Sequence, residues 1–366
     1  MVESAKVDCL NHVTASRERK VQLTDSLKLV LEHRKQNTNP QFYKEMCKLV
    51  LELQDLLGMK ENAFETFFDY GMFLFAQGNY PGARDALQNA VKGFSTSKPS
   101  LIGQCHFQMG VVHCHMESYQ EALTSFQEAL KSNQIMVVNM STAICYHWLG
   151  YVYRRQNIMD KAFERQRRAL KEMEENTGDI TTGSFISDSC FELGCVYHEK
   201  GHLKNAVEFH QRSLLIREEG GAGFKRKLQS YLYLAKVLMS ERLKRPCASN
   251  EYAKITSQIV SLLNKALTLC KEQSQLGNLR ERFPVIMTAH TYRLASIREL
   301  LLLALELCAN LISNVAEGNK EDKQKNEDLI TEFKKLMRTV LDENELREIS
   351  GGESRYSVHL YGCCRF

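Results

Sequence analysis

Proline is scarce in this sequence, with only five in 366 residues. Because proline interrupts helices, its scarcity favours long helical segments, and the many Leu, Glu, Lys, Gln and Ala residues favour helix as well. The hydrophobic fraction of 43% is too high for a disordered chain and sufficient to form a buried core. The composition therefore predicts a folded protein that is helical almost throughout.

Long apolar runs and a strong charge excess are missing too. The longest apolar run, near residues 300–312, contains Glu306 and Asn310 and is too short to cross a membrane. The net charge is only +4, whereas nucleic-acid-binding proteins usually show a stronger and clustered basic excess. We therefore expect neither a membrane span nor a nucleic-acid partner.

The usual signatures of secretion and catalysis are also missing. No apolar signal segment opens the chain, and the twelve cysteines include no C-x-x-C pair. We therefore expect reduced thiols in a cytoplasmic protein. The sequence has no glycine-rich phosphate loop, no G-x-S-x-G and no H-E-x-x-H motif. We expect a non-enzymatic protein with no catalytic residues and no cofactor.

Two local clusters leave an alternative open. His106, His113 and His115 lie near two cysteines and could hold a metal, but their helical spacing favours packing, so we expect no metal site. The C-terminal Cys363 and Cys364 lie where a prenylation box would have its cysteine, yet Arg365 replaces an expected aliphatic residue. An unmodified tail is the favoured interpretation.

What the sequence does contain is a repeated spacing of small and large residues. Its best-formed copy lies in residues 103–130, where Gly110 is followed 12, 16 and 19 positions later by Ala122, Phe126 and Ala129. The same repeat frame occurs in four copies, and Ala235 starts a fifth, irregular one. The other three clear copies are Gly71, Ala83, Leu87 and Ala90; Gly150, Ala162, Gln166 and Ala169; and Gly194, Ala206, His210 and Ser213.

This spacing predicts pairs of antiparallel helices, here called helix A and helix B of each pair. Small residues at the glycine of helix A and the first alanine of helix B let the two helices approach closely, and large side chains fill the gap to the next pair. The turns between them are predicted at 77–80, 116–119, 156–159 and 199–203. Because one pair leaves apolar faces uncovered, successive pairs must stack.

The repeat frame resembles the tetratricopeptide repeat family over residues 63–216. Its glycines lie 39, 40 and 44 residues apart, against 34 in the standard repeat. Such long periods are similar to those of the Pins/LGN spindle-orientation scaffolds, rapsyn, kinesin light chains and axonemal repeat proteins. The resemblance implies an all-α, right-handed superhelix of antiparallel helix pairs. Longer helices or longer loops after helix B could both accommodate the extra residues.

Four segments are expected along the chain. Residues 1–62, with predicted helices at 17–35 and 40–57, form an N-terminal helical cap or a degenerate repeat. Residues 63–275 form the array of four clear repeats and one irregular repeat. Residues 276–348, with helices at 284–316 and 320–347, form a C-terminal helical cap, and 349–366 a flexible tail.

The resemblance also implies a concave groove lined by helix A. In the family, the lining residues lie three before and one, four and five after the glycine position. Such a groove, apolar at its N-terminal end and cationic at its centre, suits a peptide or helix with hydrophobic anchors and an acidic patch. The matching residues are Phe68, Met72 and Phe75; Phe107, Val111, Cys114 and His115; His147, Tyr151, Arg154 and Arg155; and Phe191, Cys195, His198 and Glu199.

Alternatives to an open, peptide-binding groove remain. Phe68, Phe107 and Phe191 could instead pack between helices or be covered by the protein's own tail. Chaperone-binding family members hold a carboxylate with Lys and Asn where this chain has Phe68 and Met72, so that role is disfavoured. The resemblance implies a protein-binding scaffold or adaptor in a cytoplasmic, cytoskeletal or ciliary setting. A structural subunit built permanently into a large cytoskeletal or axonemal assembly is the alternative.

Overall fold

The computed structural model describes most of the chain from residue 40 to residue 340. The described residues are 22, 24, 40–56, 58, 60–94, 99–132, 142–175, 182–246, 249–275, 297–313 and 320–340. Within them thirteen helices follow one another and no strand occurs. The all-α prediction is therefore confirmed.

The helices are numbered in chain order. They are α1 (Pro40–Leu56), α2 (Lys60–Ala76), α3 (Tyr80–Phe94), α4 (Pro99–His115), α5 (Tyr119–Lys131), α6 (Thr142–Arg155), α7 (Met159–Glu175), α8 (Thr182–Glu199), α9 (Leu203–Glu219), α10 (Phe224–Arg242), α11 (Asn250–Gln275), α12 (Ile297–Ser313) and α13 (Lys320–Val340). Helix A of the five repeats is α2, α4, α6, α8 and α10, and helix B is α3, α5, α7, α9 and α11.

Several sequence predictions concern residues outside the described ranges. Of the helix predicted at 17–35, only Gln22 and Thr24 are described, and both are helical. The segment 284–296 and the tail at 349–366, with its two cysteines, lie outside the described residues. The proposed division of the chain at residues 62, 275 and 348 stays a prediction.

The chain divides into two compact units, each described here by itself. The described part of the first unit contains α1 to α5 and α6 up to Cys145, and that of the second contains the rest of α6 and α7 to α13. In the first unit, consecutive helices from α1 to α5 pack against each other; in the second, the same holds from α7 to α11. This sequential packing is what the stacked helix pairs predict.

In the four clear repeats, helix A ends in a left-handed residue seven positions after the repeat-frame glycine. The φ angles are 74° at Gly78, 60° at Glu117, 61° at Asn157 and 78° at Gly201. The backbone N–H of the next residue donates back to a helix carbonyl, as His202 does to Tyr197 at 2.9 Å. This arrangement ends a helix and satisfies its last carbonyl groups. The chain therefore reverses within three residues, where the sequence predicts the turns.

The repeat-frame glycines are needed because a large side chain of helix B lies directly on each of them. A Cβ would come within 2.9 Å of Leu87 at Gly71, 2.6 Å of Phe126 at Gly110 and 2.7 Å of Gln166 at Gly150. At Gly194 it would come within 2.8 Å of His210. The large residue sixteen positions after the glycine therefore covers that glycine within its own pair, rather than only filling the gap to the next pair.

The long period is accommodated partly by longer helices. Residues 99–103 and 182–187, which are part of the extra length after helix B, belong to α4 and α8. Assignment to the long-period subtype of the family remains a prediction.

The last helices of the second unit cover the fifth pair. Helix α12 packs on α10, and α13 packs on both α11 and α12. Their fully buried side chains, among them Leu263, Ala304 and Phe333, belong to one apolar cluster. This is the contact expected of a C-terminal cap. Among the helices of the described ranges, none combines the length and the apolar character required to traverse a bilayer.

Candidate functional site

In the first unit, most residues of the expected groove are packed in the interior. Phe75, Phe107, Val111 and Cys114 are all buried. The ring of Phe107 lies edge-on to that of Phe126, with the centroids 5.6 Å apart. These four side chains are part of the interior, and for Phe107 this is the packing alternative that the sequence left open.

The other three groove residues of this unit are half-buried. Phe68 packs against the buried cluster of Ala90 and Cys105, and Met72 is half-buried. The imidazole of His115 stacks on the ring of Tyr80 at 5.0 Å between centroids. In this unit Phe68, Met72 and His115 are therefore the groove residues that reach solvent.

In the second unit, His147, Tyr151, Phe191 and Cys195 are buried. The Nδ1 of His147 lies 3.1 Å from the Oε1 of Gln166 and 2.9 Å from the hydroxyl of Ser189. Burial lowers the pKa of His147 below its ordinary value. This histidine therefore links helices α6, α7 and α8 in the interior.

The expected cationic centre of the groove is largely neutralised. The Nε of Arg154 lies 2.5 Å from the Oε2 of Glu192, and its Nη1 lies 3.3 Å from the Oε1 of Glu199. The side chains are 10% exposed for Arg154 and 0% for Glu192. Burial raises the pKa of Glu199 above its ordinary value, although Arg154 opposes this shift. Arg154 therefore joins α6 to α8 and is not a free binding charge.

Positive charge remains near the C-terminal end of α8, but on other residues. The Nε2 of His198 lies 3.0 Å from the hydroxyl of Ser240. Burial, together with the positive charges of Lys236 and Lys244, lowers the pKa of His198 to about 4. Arg155 on α6 is half-buried. The cationic character predicted for the groove thus rests on Arg155, Lys236 and Lys244, and the last two were not predicted.

A buried charge cluster on α8, α9 and α10 was missed by the sequence reasoning. The Nη2 of Arg217 lies 2.8 Å from Oδ1 of Asp188, and the Nη2 of Arg226 lies 3.1 Å from Oδ2 of the same carboxylate. The guanidinium of Arg217 also lies over the ring of Phe191, 4.9 Å from its centroid. The available signal was the presence of Asp188 and Glu192 among the apolar residues of this helix A.

Two open cavities in the second unit were not predicted. One, of about 280 Å³, lies among α7, α8 and α9. It is lined by Phe163, Arg167, Leu170, Lys171, Glu174, Leu193, Tyr197 and Phe209. The other, of about 490 Å³, lies next to the buried charge cluster. The sequence did not indicate either cavity, because most of the lining residues lie outside the positions that line the family's groove.

The histidines and cysteines of α4 were considered as metal ligands from the sequence. Burial lowers the pKa of His113 and raises that of Cys105 to about 12. Burial that disfavours a thiolate also disfavours a metal ligand, since metals bind the deprotonated thiol. Across the described part of the chain, no three side chains of His, Cys, Asp or Glu form a group suited to a metal ion.

Comparison with known proteins identifies the repeat. Residues 187–219 match the family model of the tetratricopeptide repeat. This segment of the chain therefore contains a tetratricopeptide repeat. The matched segment consists of most of α8 together with α9, the pair that carries Gly194 and His210. Comparison of the sequence with curated proteins gave no match.

Several solved structures are similar to this chain at low sequence identity. The apo form of RapI is 12% identical with a TM-score of 0.55, over 90% of this chain and 99% of RapI. BtubC from P. vanneervenii is 13% identical with a TM-score of 0.48, over 77% and 99%. PilF of Pseudomonas aeruginosa is 15% identical with a TM-score of 0.46, over 82% and 98%. The likeness to RapI shows the fold alone.

Proposed function

We propose that this chain is a non-enzymatic scaffold or adaptor that binds a peptide or helical segment of another protein on its helix A residues. The observation that supports this proposal is the tetratricopeptide match at α8 and α9, together with glycine-mediated pairing that recurs in both units. Stacked helix pairs present side chains at regular intervals and need no moving or reactive part to bind a partner.

The accessible side chains indicate the chemistry of the partner. In the first unit, the half-buried Phe68 and Met72 offer apolar contacts. In the second unit, Arg155 and Lys236 are half-buried cations and Lys244 is an exposed one. Hydrophobic anchors would suit the surface of the first unit, and an acidic patch would suit that of the second.

The proposal is tested by finding the partner segment and measuring its affinity. Cross-linking of the full chain in cell extract, followed by mass spectrometry, identifies the peptide that contacts it. The affinity of that synthetic peptide is then measured for the wild type and for the Arg155→Glu/Lys244→Glu variant. We expect at least a tenfold loss in the variant, because charge reversal repels an acidic partner.

A matched control separates this effect from general changes in charge. Lys171 lies on helix B α7 and its side chain is 75% exposed, so Lys171→Glu should leave the affinity unchanged. Urea denaturation of each variant shows whether the fold is intact. If the folded wild type and the folded double variant bind the peptide equally, the surface around Arg155 and Lys244 is not the binding site.

The alternative, a structural subunit of a large cytoskeletal or axonemal assembly, differs in how the isolated chain behaves. An assembly subunit should aggregate without its neighbours, whereas an adaptor should remain monodisperse and take up the peptide. Size-exclusion chromatography with light scattering distinguishes the two. The cytoplasmic, cytoskeletal or ciliary setting stays a prediction that microscopy of the tagged chain would test.

A further inference from the structure

The cavity of about 490 Å³ in the second unit is the starting point. It lies where the start of α8, the end of α9 and the start of α10 come together. Its lining consists of Gly183, Ser184, Ser187, Ile216, Arg217, Gly220, Ala222, Gly223, Phe224, Lys225 and Arg226. None of Arg155, Lys236 and Lys244 lines this cavity, so its function goes beyond the proposed one.

The charges around this cavity are unbalanced. Three of the lining side chains are cationic, namely Arg217, Lys225 and Arg226, and none of the described lining residues is a carboxylic acid. The carboxylate of Asp188 is shared by the guanidiniums of Arg217 and Arg226. The carboxylate of Glu218 instead accepts a hydrogen bond from the hydroxyl of Tyr231, at 2.6 Å. Arg217 and Arg226 therefore bring one more positive charge to this cavity than Asp188 offsets.

The side chain of Arg217 gives separate support for an anion in this cavity. This side chain is 1% exposed, it lines the cavity, and its Nε has no acceptor among the described residues. Burial lowers the pKa of Arg217 below its ordinary value, although Asp188 opposes the shift. A buried guanidinium with an unused N–H is costly. An anion in the cavity would relieve this cost by adding negative charge.

The backbone at the start of α10 completes the lining. Gly223 precedes the helix and no side chain caps it. The first N–H groups of a helix have no acceptor within the helix and favour a bound anion. A Cβ added at Gly223 or Gly183 would meet nothing within 4 Å, so the approach is open. The hydroxyl of Ser184 is held by Nη1 of Arg226 at the same wall.

We infer that this cavity binds a phosphate group, either free or carried on a phosphorylated side chain. A phosphate monoester brings close to two negative charges and three acceptor oxygens. The cavity offers it guanidinium, hydroxyl and amide donors from α8, α9 and α10. A carboxylate brings one charge and two oxygens, which matches the excess charge less well.

Calorimetric titration of the full chain at low ionic strength tests this assignment. The probes are inorganic phosphate, a short peptide with a central phosphoserine, the same peptide with serine, and acetate. We expect phosphate or the phosphopeptide to bind at least tenfold more tightly than acetate and the serine peptide. Binding of both phosphate probes indicates a phosphorylated side chain as the ligand, and binding of inorganic phosphate alone indicates a free anion.

Two variants separate loss of binding from loss of folding. Arg226→Gln removes one cation and should weaken phosphate binding at least tenfold. Arg212→Gln is its matched control, since Arg212 lies on α9 but pairs with Glu174 instead of lining the cavity. Gly223→Asp places a carboxylate on the helix start, where it should stabilise α10 and yet abolish phosphate binding by repulsion.

Three results would contradict the assignment of this cavity to a phosphate group. It is overturned if neither phosphate probe binds the wild type, or if acetate binds as tightly as phosphate. It is also overturned if Gly223→Asp, with its stability maintained or raised in urea, still binds phosphate like the wild type. None of these readouts depends on a protein partner, so the result is independent of the proposed scaffold function.

Discussion

The imidazole of His210 lies directly on the Cα of Gly194, where a Cβ would come within 2.8 Å of the ring. Leu87 and Phe126 occupy the same repeat position in the first two pairs and are wholly apolar. His210 is buried like them, yet neither of its ring nitrogens has a hydrogen-bond partner among the described residues. The fourth pair therefore contains a polar group at a site that packing alone would fill with a hydrophobic side chain.

Replacing His210 by leucine should stabilise the protein. A buried polar group without a partner costs about 1 to 3 kcal/mol, and leucine is the residue found at this position in the first pair. We therefore expect His210→Leu to raise the free energy of unfolding by about 1 to 2 kcal/mol. Urea denaturation at pH 7 measures the change.

The matched control is Gln166→Leu at the same position of the third pair. The Nε2 of Gln166 donates to the carbonyl of His147 at 2.8 Å, and its Oε1 faces the Nδ1 of that residue. Leucine there would leave these groups without their partner, so we expect a loss of about 1 to 2 kcal/mol. Equal effects of the two leucines would show that hydrogen bonding does not distinguish the two sites.

The same histidine should make the fold sensitive to acid. Burial lowers the pKa of His210 to about 3, against an ordinary value of 6.5, and that of His198 to about 4. Between these folded values and 6.5 the unfolded chain binds more protons, so the free energy of unfolding falls as the pH falls below 6.5. Each histidine contributes a slope of about 1.4 kcal/mol per pH unit. Urea titrations from pH 7.5 to pH 4.5 should show this fall.

His210→Leu should flatten the pH dependence, because one of the histidines that must lose its proton on folding is gone. The difference in stability between this variant and the wild type should therefore widen from pH 7 to pH 5. A constant difference across this range would mean that His210 titrates normally in the folded protein, against the pKa that its burial indicates.

The helix pairs follow from the sequence because their cause is local. A glycine and a large residue sixteen positions later lie in one helix pair, so their spacing alone fixes the contact. The interior of helix A was less predictable. Asp188 and Glu192 look like solvent-facing charges in the sequence, but they are neutralised by Arg217, 29 residues away, and Arg154, 38 residues away. No local pattern reveals such partners, so residues expected to line a groove proved to be buried.

The left-handed turn after α8 provides a test of backbone strain. Gly201 has a φ of 78°, and a Cβ there would meet nothing within 4 Å. Gly201→Ala should therefore lose stability through conformation alone, by about 1 to 2 kcal/mol. Gly183 in the first turn of α8 has equally open space without a left-handed φ. Gly183→Ala should instead stabilise the helix by about 0.5 to 1 kcal/mol. If the midpoint of thermal unfolding shifts in the same direction for both variants, the left-handed conformation does not explain the difference between the two sites.

The ion pair of Arg154 and Glu192 should be far more important than a surface pair of similar geometry. Arg154→Met leaves the fully buried Glu192 carboxylate without its cation, which should cost about 3 to 5 kcal/mol. The control is Lys200→Met, since Lys200 pairs with Asp160, a side chain that is 92% exposed, and such pairs contribute less than about 1 kcal/mol.

The double variant Arg154→Met/Glu192→Leu should recover most of the loss, because removing both charges removes the buried, unpaired one. Urea denaturation of the three variants at pH 7 decides the matter. If Arg154→Met is no worse than Lys200→Met, Arg154 is free to bind a partner after all. If the expected order holds, a charge reversal at Arg154 would report on folding, and the partner surface must be tested through Arg155 and Lys244 instead.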